Sequence, residues 1–395
     1  MNGKAVLPVP PGAHRVVVSR GYEYEIHDAA VSVSAGATTP VTASLVRSVD
    51  GAGVMCADFH VHTNYSVDAI DAVERKVKGA IADGLEIPVS SEHEWIIDFQ
   101  PTIAALGLTE WAYGFPSEEL TTFSWGHFGV IPLFPRPEAP NNGAIDWVGK
   151  KPAEIFAQVN ALPERPILVV NHPRGPGFFS YFSAASFDPA TLQADPELWS
   201  EDFGAIEVFN DSDLEENRTG SVADWFALLT AGRTKWAVGN SDSHDGRTRF
   251  VGYPRTCLRF GHDDPRLLSA EAVRDVLRTG DAVINGGITM TVSGPRGVPP
   301  GGTAEAGPYR VVVASPSWIT PTSLEVIVDG QTTQTLPLTT STGPGPGKRY
   351  ELTVDVQPTE SRARHWVVFH AKGAGDLEPV HPRRRPFAVS NPIFF

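Results

Sequence analysis

Two histidines stand one residue apart in the segment "ADFHVHTNYSVDA", which covers residues 57–69. Side chains two residues apart lie on one face of a β-strand, so His60 and His62 form a candidate chelating pair. Asp242 and His244 repeat this spacing in "GNSDSH". Imidazole is the commonest metal ligand in proteins, and mixed histidine and carboxylate sites suit Zn, Mn or Fe. The two pairs therefore indicate metal chemistry.

Further candidate ligands occur where other predicted strands end. Six of the twelve histidines lie at or near such ends: His60, His62, His93, His127, His172 and His244. Carboxylates accompany them in the same segments: Asp68, Glu118, Glu119 and Asp242. One histidine at a strand end is more often a hydrogen-bonded structural residue. A whole set on several strand ends would be costly to bury without a cation, and it indicates a site with more than one metal ion.

Strand-like and helix-like runs alternate between about residues 54 and 290. The predicted strands are "VMCADFHVH", "EIPVSSEH", "PILVVNHP", "GAIEVFN", "KWAVGNSDSH" and "DAVING". The predicted helices are "DAIDAVERKVKGAIADG", "PAEIFAQVNAL", "SVADWFALLTAGR" and "SAEAVRDVLRTG". Such alternation predicts an α/β fold with a mostly parallel sheet or barrel. The carboxyl ends of parallel strands meet on one face, where active sites sit, so the candidate ligands are expected to converge there.

Short β-like runs separated by Gly, Pro and Ser flank this central part. We expect an N-terminal β domain over residues 1–52, whose abrupt start suggests a truncated or processed chain. The α/β part follows over residues 53–292. A β-sandwich-like domain is predicted for residues 293–395, with the Gly/Pro-rich stretch "TVSGPRGVPPGGT" (about residues 291–303) as the linker at its start. The tail "RRRPFAVSNPIFF" is expected to return and pack as a last strand.

Composition excludes some classes of function. The formal net charge of −14 argues against binding to nucleic acid or to an anionic membrane, but it is compatible with a small anionic substrate held by metal ions. The sequence contains no apolar run long enough for a membrane span and no signal-like apolar stretch at its start. We therefore expect a soluble chain, with the cytoplasm the favoured compartment.

The two cysteines, Cys56 and Cys257, are predicted to be buried free thiols. The oligomeric state is open.

Five ordered motifs carry a resemblance to a known family. The segments "DFHVHTNYSVDA", "SSEHEW", "EELTTFSWGH", "NHP" and "GNSDSH" resemble the motifs of the PHP (polymerase and histidinol phosphatase) metallohydrolases. The segments "EELTT…GH", "EVFN" and "RPFAVSNPIF" are similar to the CehA/McbA-like branch, which includes bacterial carbamate hydrolases. The resemblance covers about residues 54–290 and the C-terminal tail. It implies a distorted (β/α)7 TIM-like barrel that holds two or three divalent metal ions.

The resemblance also implies a ligand set. A first metal would be held by His60, His62, Glu119 and Asp242. Glu119 would bridge to a second metal on His127 and His172, and a third site would consist of Asp68, His93 and His244. Glu119 is chosen over Glu118 because it precedes an aliphatic residue, as in the pattern of the family.

Two departures from the family pattern affect this set. The family often has a histidine where Asp68 stands, which leaves a weak or empty third site as an alternative. Asp68 or His93 would then act as acid or base. Ser91, Glu92 and His93 replace the usual Thr-Asp-His, so the role of the longer Glu92 is open.

The motifs favour a metal-dependent hydrolase that uses a metal-bridged hydroxide on a small anionic or carbonyl-ester substrate. Phosphomonoesters or phosphodiesters are the first expectation, because phosphoesters are the commonest substrates of the family. Carbamate, ester or amide hydrolysis on the same metals is the alternative. A degenerate, non-catalytic barrel in a binding protein is a further alternative, and the net charge weighs against a nuclease.

The residues that would contact substrate are less defined. Arg174, just after "NHP", could hold an anionic substrate or be an ordinary surface arginine. Asn210 could position substrate or satisfy backbone groups. The loop "RGPGFFS" with the following Tyr181 could form a mobile wall of Phe178, Phe179 and Tyr181, or could be an ordinary loop with buried aromatic residues.

Overall fold

The structure is a computed structural model that describes residues 3–343 and 345–395. These residues form seven α-helices: α1 (Val73–Ala82), α2 (Gln100–Ala105), α3 (Pro152–Asn160), α4 (Tyr181–Ala184), α5 (Leu214–Asn217), α6 (Ser221–Thr230) and α7 (Ala270–Thr279). No helix in this described part is both long enough and apolar enough to cross a membrane.

The same residues form nineteen β-strands. In chain order these are β1 (Gly12–Val18), β2 (His27–Val33), β3 (Val54–Asp58), β4 (Ile87–His93), β5 (Phe115–Thr121), β6 (His127–Ile131), β7 (Ile167–Val170), β8 (Ala205–Asn210), β9 (Trp236–Asn240), β10 (Arg255–Arg259), β11 (Ala282–Gly286), β12 (Thr289–Ser293), β13 (Gly307–Ser315), β14 (Thr320–Val328), β15 (Gln331–Pro337), β16 (Lys348–Val356), β17 (Trp366–Ala374), β18 (Phe387–Ser390) and β19 (Ile393–Phe394). Every strand and helix predicted between residues 54 and 290 overlaps one of these elements.

The predicted α/β class is confirmed, and the large sheet is mixed. Strands β3, β4 and β5 are parallel neighbours, and so are β7, β8 and β9. Strand β6 runs antiparallel to both β5 and β7. Only five residues, 122–126, connect β5 to β6. A connection this short permits a hairpin but not the long crossover that a parallel pair requires.

The carboxyl ends of β3 and β9 lie side by side. Val61 and Ser243, just beyond the two strands, form a parallel bridge, and the backbone N–H of His62 donates to the carbonyl of Ser243 at 3.0 Å. The backbone N–H of Phe59 also donates to Asn240 Oδ1 at 3.0 Å. The ends of the first and last central strands are therefore brought to one region.

The C-terminal part continues the large sheet and adds a second one. Strand β18 lies between β11 and β17, which confirms the prediction that the tail returns as a strand. Strands β12, β13 and β16 form a separate three-stranded sheet. Its face packs on the large sheet, since the rings of Tyr309 and Phe369 lie 6.0 Å apart. Because β12 belongs to this second sheet, C-terminal structure begins a few residues before 293, and the domain boundaries stay predictions.

The N-terminal part contributes two of the described strands. Strands β1 and β2 form a two-stranded antiparallel sheet. The β-like segment "TTPVTASLVRS" of this part forms no strand and contributes one isolated bridge, between Tyr24 and Arg47.

The prediction of free thiols is wrong. Antiparallel pairing of β3 with β10 places Cys56 directly opposite Cys257, and a disulfide joins them. The two cysteines are 201 residues apart in the chain. Their pairing depends on the long-range register of β10 against β3, which no local pattern reveals.

Candidate metal centre

Glu119 is the centre of a buried cluster. It lies on β5 and is almost inaccessible to solvent. Its Oε1 is 3.0 Å from His60 Nε2 and 3.1 Å from His172 Nε2, and it is 3.3 Å from His127 Nδ1. Its Oε2 is 3.4 Å from His62 Nε2 and 3.0 Å from His93 Nδ1. One carboxylate therefore meets five imidazole rings, as a bridging metal ligand would.

Asp242 is a second carboxylate in the cluster. Its Oδ1 lies 3.2 Å from His60 Nε2, 3.3 Å from His62 Nε2 and 3.4 Å from His244 Nδ1. Asp242 has a backbone φ of +50°, and His172 has one of +25°. Residues other than glycine rarely adopt such angles, which cluster at functional sites.

Asp68 completes the set at the solvent side, where 52% of its side chain is exposed. Its two oxygens lie 3.3 Å from His93 Nε2 and 3.3 Å from His244 Nε2. The ring of His62 contacts the rings of both His93 and His244, with centroid distances of 4.4 and 4.2 Å. All nine predicted ligands therefore lie in one cluster.

The described cluster contains four sets of ligand atoms that could each hold an ion: His62, His93 and His244; His60, His172 and Asp242; His60, His62 and Glu119; and His93, Glu119 and His127. The third follows the implied grouping, whereas the first joins His62 of the implied first site to His93 and His244 of the implied third site. His172 falls with His60 and Asp242 rather than with His127. The distribution of ligands among ions stays a prediction.

Unpaired ring nitrogens show that the residues fit metal ions. His60 Nε2, His62 Nε2 and both ring nitrogens of His127 are buried without a hydrogen-bond partner among the described residues. Buried polar atoms without a partner are rare and unfavourable. His60 Nε2, His62 Nε2 and His127 Nδ1 lie within 3.4 Å of a carboxylate oxygen of Glu119. A cation between these nitrogens and the carboxylate would satisfy both. Mixed imidazole and carboxylate donors suit Zn, Mn or Fe.

The carboxylates and histidines shift one another's pKa values. Burial alone would lower the pKa of His60, but Glu119, Asp242 and Glu207 together raise it. Burial lowers the pKa of His62 to about 3, so this ring stays neutral and keeps a free electron pair at neutral pH. Burial would raise the pKa of Glu119, yet the surrounding histidines hold it well below its usual value.

His93 and Asp68 behave as an ion pair. Burial would lower the pKa of His93, but Glu119 and Asp68 raise it to about 10. The hydrogen bond from His93 lowers the pKa of Asp68 to about 2. Without a cation between them, His93 therefore holds a proton beside the solvent-exposed carboxylate.

Glu207 orients the ligand His60 and was not singled out from the sequence. Its Oε1 lies 2.8 Å from His60 Nδ1 and accepts from Asn240 Nδ2 at 2.9 Å. Its Oε2 accepts from the backbone N–H of His172 at 2.8 Å and from Asn210 Nδ2 at 2.9 Å. Such contacts fix a ligating ring and its tautomer. The available signal was a charged residue inside the apolar run "AIEVF".

The side chain of Asn210 contacts two carboxylates of the site. It donates to the carboxylates of Glu207 and of Asp242, the latter at 3.2 Å. It therefore supports the ligand Asp242 and the carboxylate that orients His60, rather than backbone groups.

Glu92 has a supporting role despite its departure from the family pattern. It accepts hydrogen bonds from the backbone N–H and the hydroxyl of Thr63 and from Ser66 Oγ at 2.6 Å. Ser66 Oγ in turn lies 3.1 Å from His62 Nδ1. The longer carboxylate thus still supports His62 through Ser66.

Glu118 points away from the cluster. Its oxygens accept from the backbone N–H of Ile145 at 3.1 and 3.2 Å, and burial raises its pKa well above the usual value. Successive side chains of a strand face opposite sides, so Glu118 and Glu119 cannot both face the histidines. The choice of Glu119 agrees with this geometry.

Arg174 is engaged elsewhere. Its Nε and Nη2 each donate to the buried carboxylate of Asp224 at 2.7 Å, and Nη2 also donates to the carbonyl of Phe187. These partners lie outside the nine-residue cluster. The geometry therefore favours a structural role for Arg174 over a substrate clamp.

The aromatic residues after His172 divide into two groups. Tyr181 is fully buried and donates to the carbonyl of Leu198, so it belongs to the core. Phe178 and Phe179 are 66% and 55% exposed. The Phe179 ring meets the His127 ring edge to face, with centroids 5.5 Å apart. Phe179 therefore lies at the rim of the cluster.

A second group of potential ligands, formed by Glu215, Glu325 and His370, is neutralised by neighbouring cations. Lys372 Nζ lies 2.6 Å from Glu215 and 2.8 Å from Glu325, and Arg218 contacts both carboxylates. This group is a salt-bridge network, whereas among the described residues a single arginine, Arg249, contacts the cluster around Glu119, at the outer side of Asp242.

Comparison with family models and with curated proteins adds no relative. No family model matches the sequence, and no curated protein matches it. The geometry and chemistry of the cluster are therefore the basis for assigning a function.

Proposed function

We propose that the protein is a PHP-type hydrolase that depends on two or three divalent cations, Zn, Mn or Fe. The observation that carries this proposal is the convergence of buried, unpaired histidine nitrogens on Glu119 and Asp242. All nine implied ligand positions take part in the cluster. A degenerate scaffold would be expected to have lost several of them.

The same proposal includes a distorted barrel made of β3 to β9. The bridge between Val61 and Ser243 supports it, because it joins the end of the first of these strands to that of the last. The short α-helices and the antiparallel β6 are the distortions from a regular (β/α) barrel.

When bound, divalent cations would supply a water of lowered pKa and would neutralise charge on the group being cleaved. The chain itself supplies the remaining functions. Glu119 and Asp242 hold the centre together, and Glu207 keeps His60 Nε2 directed into it. If two cations fill the centre and leave His93 without a metal, its Nε2, which lies 3.3 Å from Asp68, would be placed to exchange a proton with a leaving group.

Phosphoesters are the substrate class that the geometry supports best. A phosphoryl group offers several oxygens, and a centre with more than one cation can hold the attacking and leaving sides at once. A carbamate, ester or amide offers one carbonyl oxygen and remains the alternative on the same ligands. The acidic chain favours a small substrate over nucleic acid.

The test is a substrate panel with metal-reconstituted protein. Zn, Mn and Fe(II) are each added to chelator-treated protein. Hydrolysis of p-nitrophenyl phosphate, bis(p-nitrophenyl) phosphate and p-nitrophenyl acetate is then followed. The proposal expects metal-dependent turnover with a preference for a phosphoester. Turnover of the acetate alone would select the carbonyl alternative, and no metal-dependent turnover with any of them would contradict hydrolysis of these classes.

A further inference from the structure

Arg249 lies on the outer side of the ligand Asp242. Its Nη1 is 3.2 Å from Asp242 Oδ2, whereas Asp242 Oδ1 faces the histidines. The Arg249 side chain is 45% exposed. Its guanidinium therefore touches the edge of the candidate metal centre and also reaches solvent.

Hydrogen bonds hold the loop of residues 243–249, which carries Arg249, in place. Asp245 accepts hydrogen bonds from the backbone N–H groups of Arg247 and Thr248 and from the Thr248 hydroxyl. Ser243 Oγ donates to the Arg249 carbonyl at 2.5 Å, and the buried Lys76 donates to Ser243 Oγ at 3.0 Å. These contacts hold the Arg249 backbone beside the ligand.

Other cations near the cluster are already committed to protein groups. Arg174 forms a bidentate pair with Asp224, Arg384 pairs with Asp211, and Lys76 binds Ser243. Within the described part of the chain, the Arg249 guanidinium makes one hydrogen bond, to Asp242. Four of its five N–H donors thus remain for another acceptor.

We infer that Arg249 is a substrate-binding residue that recognises an anionic, phosphate-type group presented to the metal centre. This inference rests on the proposed function and deepens it, because it selects an anionic phosphoester over a neutral carbonyl ester. The guanidinium fork matches two oxygens of a phosphoryl group, and charge-assisted hydrogen bonds of this kind are strong. Arg249 Nη1 is held by Asp242, which leaves the other N–H groups of the guanidinium for an acceptor other than Asp242.

The competing role for Arg249 is to steady Asp242 as a ligand. The two roles differ in what the Arg249→Met variant loses. A substrate-binding role predicts normal metal content and weak phosphate binding. A positioning role predicts loss of metal. Arg247→Met is the matched control, because Arg247 is exposed on the same loop.

The experiment compares metal-loaded wild type with Arg249→Met, Arg249→Lys and Arg247→Met. Calorimetry measures affinity for inorganic phosphate, elemental analysis gives metal per chain, and kinetics gives KM for p-nitrophenyl phosphate and p-nitrophenyl acetate. For Arg249→Met we expect about 10- to 100-fold weaker phosphate binding and a similar rise in the phosphate-ester KM. The acetate KM and the metal content should not change. Arg249→Lys should be intermediate, and Arg247→Met should match wild type.

Unchanged phosphate affinity in Arg249→Met would overturn the inference, as would a wild type that binds no phosphate. Loss of metal in both Arg249 variants would replace it with a positioning role. If wild type binds phosphate through Arg249 but hydrolyses none of the esters, the inference stands and the proposed hydrolase activity fails.

Discussion

Glu207 Oε1 lies 2.8 Å from His60 Nδ1, and the opposite nitrogen of that ring, Nε2, lies 3.0 Å from Glu119. The two carboxylates thus hold one imidazole between them. A ring held this way presents Nε2 to a cation with its orientation and tautomer already set.

Replacing Glu207 with Gln should weaken the metal centre without removing any ligand. Gln keeps the shape but loses the charge that favours a proton on His60 Nδ1. We expect metal affinity to fall about 10- to 100-fold, measured by competition with a chelator of known affinity. Glu118→Gln, a change of the same kind at a buried carboxylate that points away from the cluster, should retain wild-type affinity. Equal affinities for wild type and Glu207→Gln would show that Glu207 does not support His60.

Glu86 should make the stability of the fold depend on pH. Burial, together with the charge of Glu23, raises the pKa of Glu86 from 4.5 to about 7. The folded protein then binds more protons than the unfolded chain between these values, so stability falls as pH rises through this window. Glu86→Gln cannot ionise and should escape that loss.

Melting temperatures at pH 5 and pH 8 test this point. When the pH rises from 5 to 8, the free energy of unfolding of Glu86→Gln should increase relative to that of wild type by roughly 1–3 kcal/mol. Glu74→Gln, on the exposed first turn of α1, should show no such gain. If the stability difference between Glu86→Gln and wild type is the same at pH 5 and pH 8, the pKa of Glu86 is not raised.

The disulfide between Cys56 and Cys257 should contribute to stability. Exchanging both residues for serine releases a cross-link between positions 201 residues apart, and we expect a loss of about 2–5 kcal/mol in the free energy of unfolding. Alkylation of the denatured wild type should label no cysteine until a reductant is added, and two afterwards. Labelling of two thiols without a reductant would restore the interpretation as free thiols.

Local signals explain what the sequence could predict. The spacing of His60 and His62, and of Asp242 and His244, is visible within a few residues and follows from the two-residue period of strands. The strands that carry them are marked by apolar runs between turn residues. Convergence of the ligands then follows from strand ends that meet on one face.

Long-range pairing explains what it could not predict. Strand β6 is antiparallel because β5 and β6 form a hairpin. The sequence analysis singled out this segment for its candidate ligands, Glu119 and His127, and predicted no strands in it. The Cys56–Cys257 disulfide depends on the register between β3 and β10. Glu207 meets His60 across 147 residues, and its role becomes visible only once both strands are placed. Arg249 looks like any exposed loop arginine until its distance to Asp242 is known.

Metal content per chain tests the central claim most directly. Elemental mass spectrometry of purified protein, before and after reconstitution with Zn, Mn or Fe(II), is compared among wild type, Glu119→Gln and Glu118→Gln. The two variants change neighbouring buried carboxylates on one strand, of which only Glu119 faces the histidines. We expect two or three equivalents in wild type and in Glu118→Gln, and a loss of at least one equivalent in Glu119→Gln. Less than about one equivalent in reconstituted wild type, or equal loss in both variants, would contradict a multinuclear centre built on Glu119.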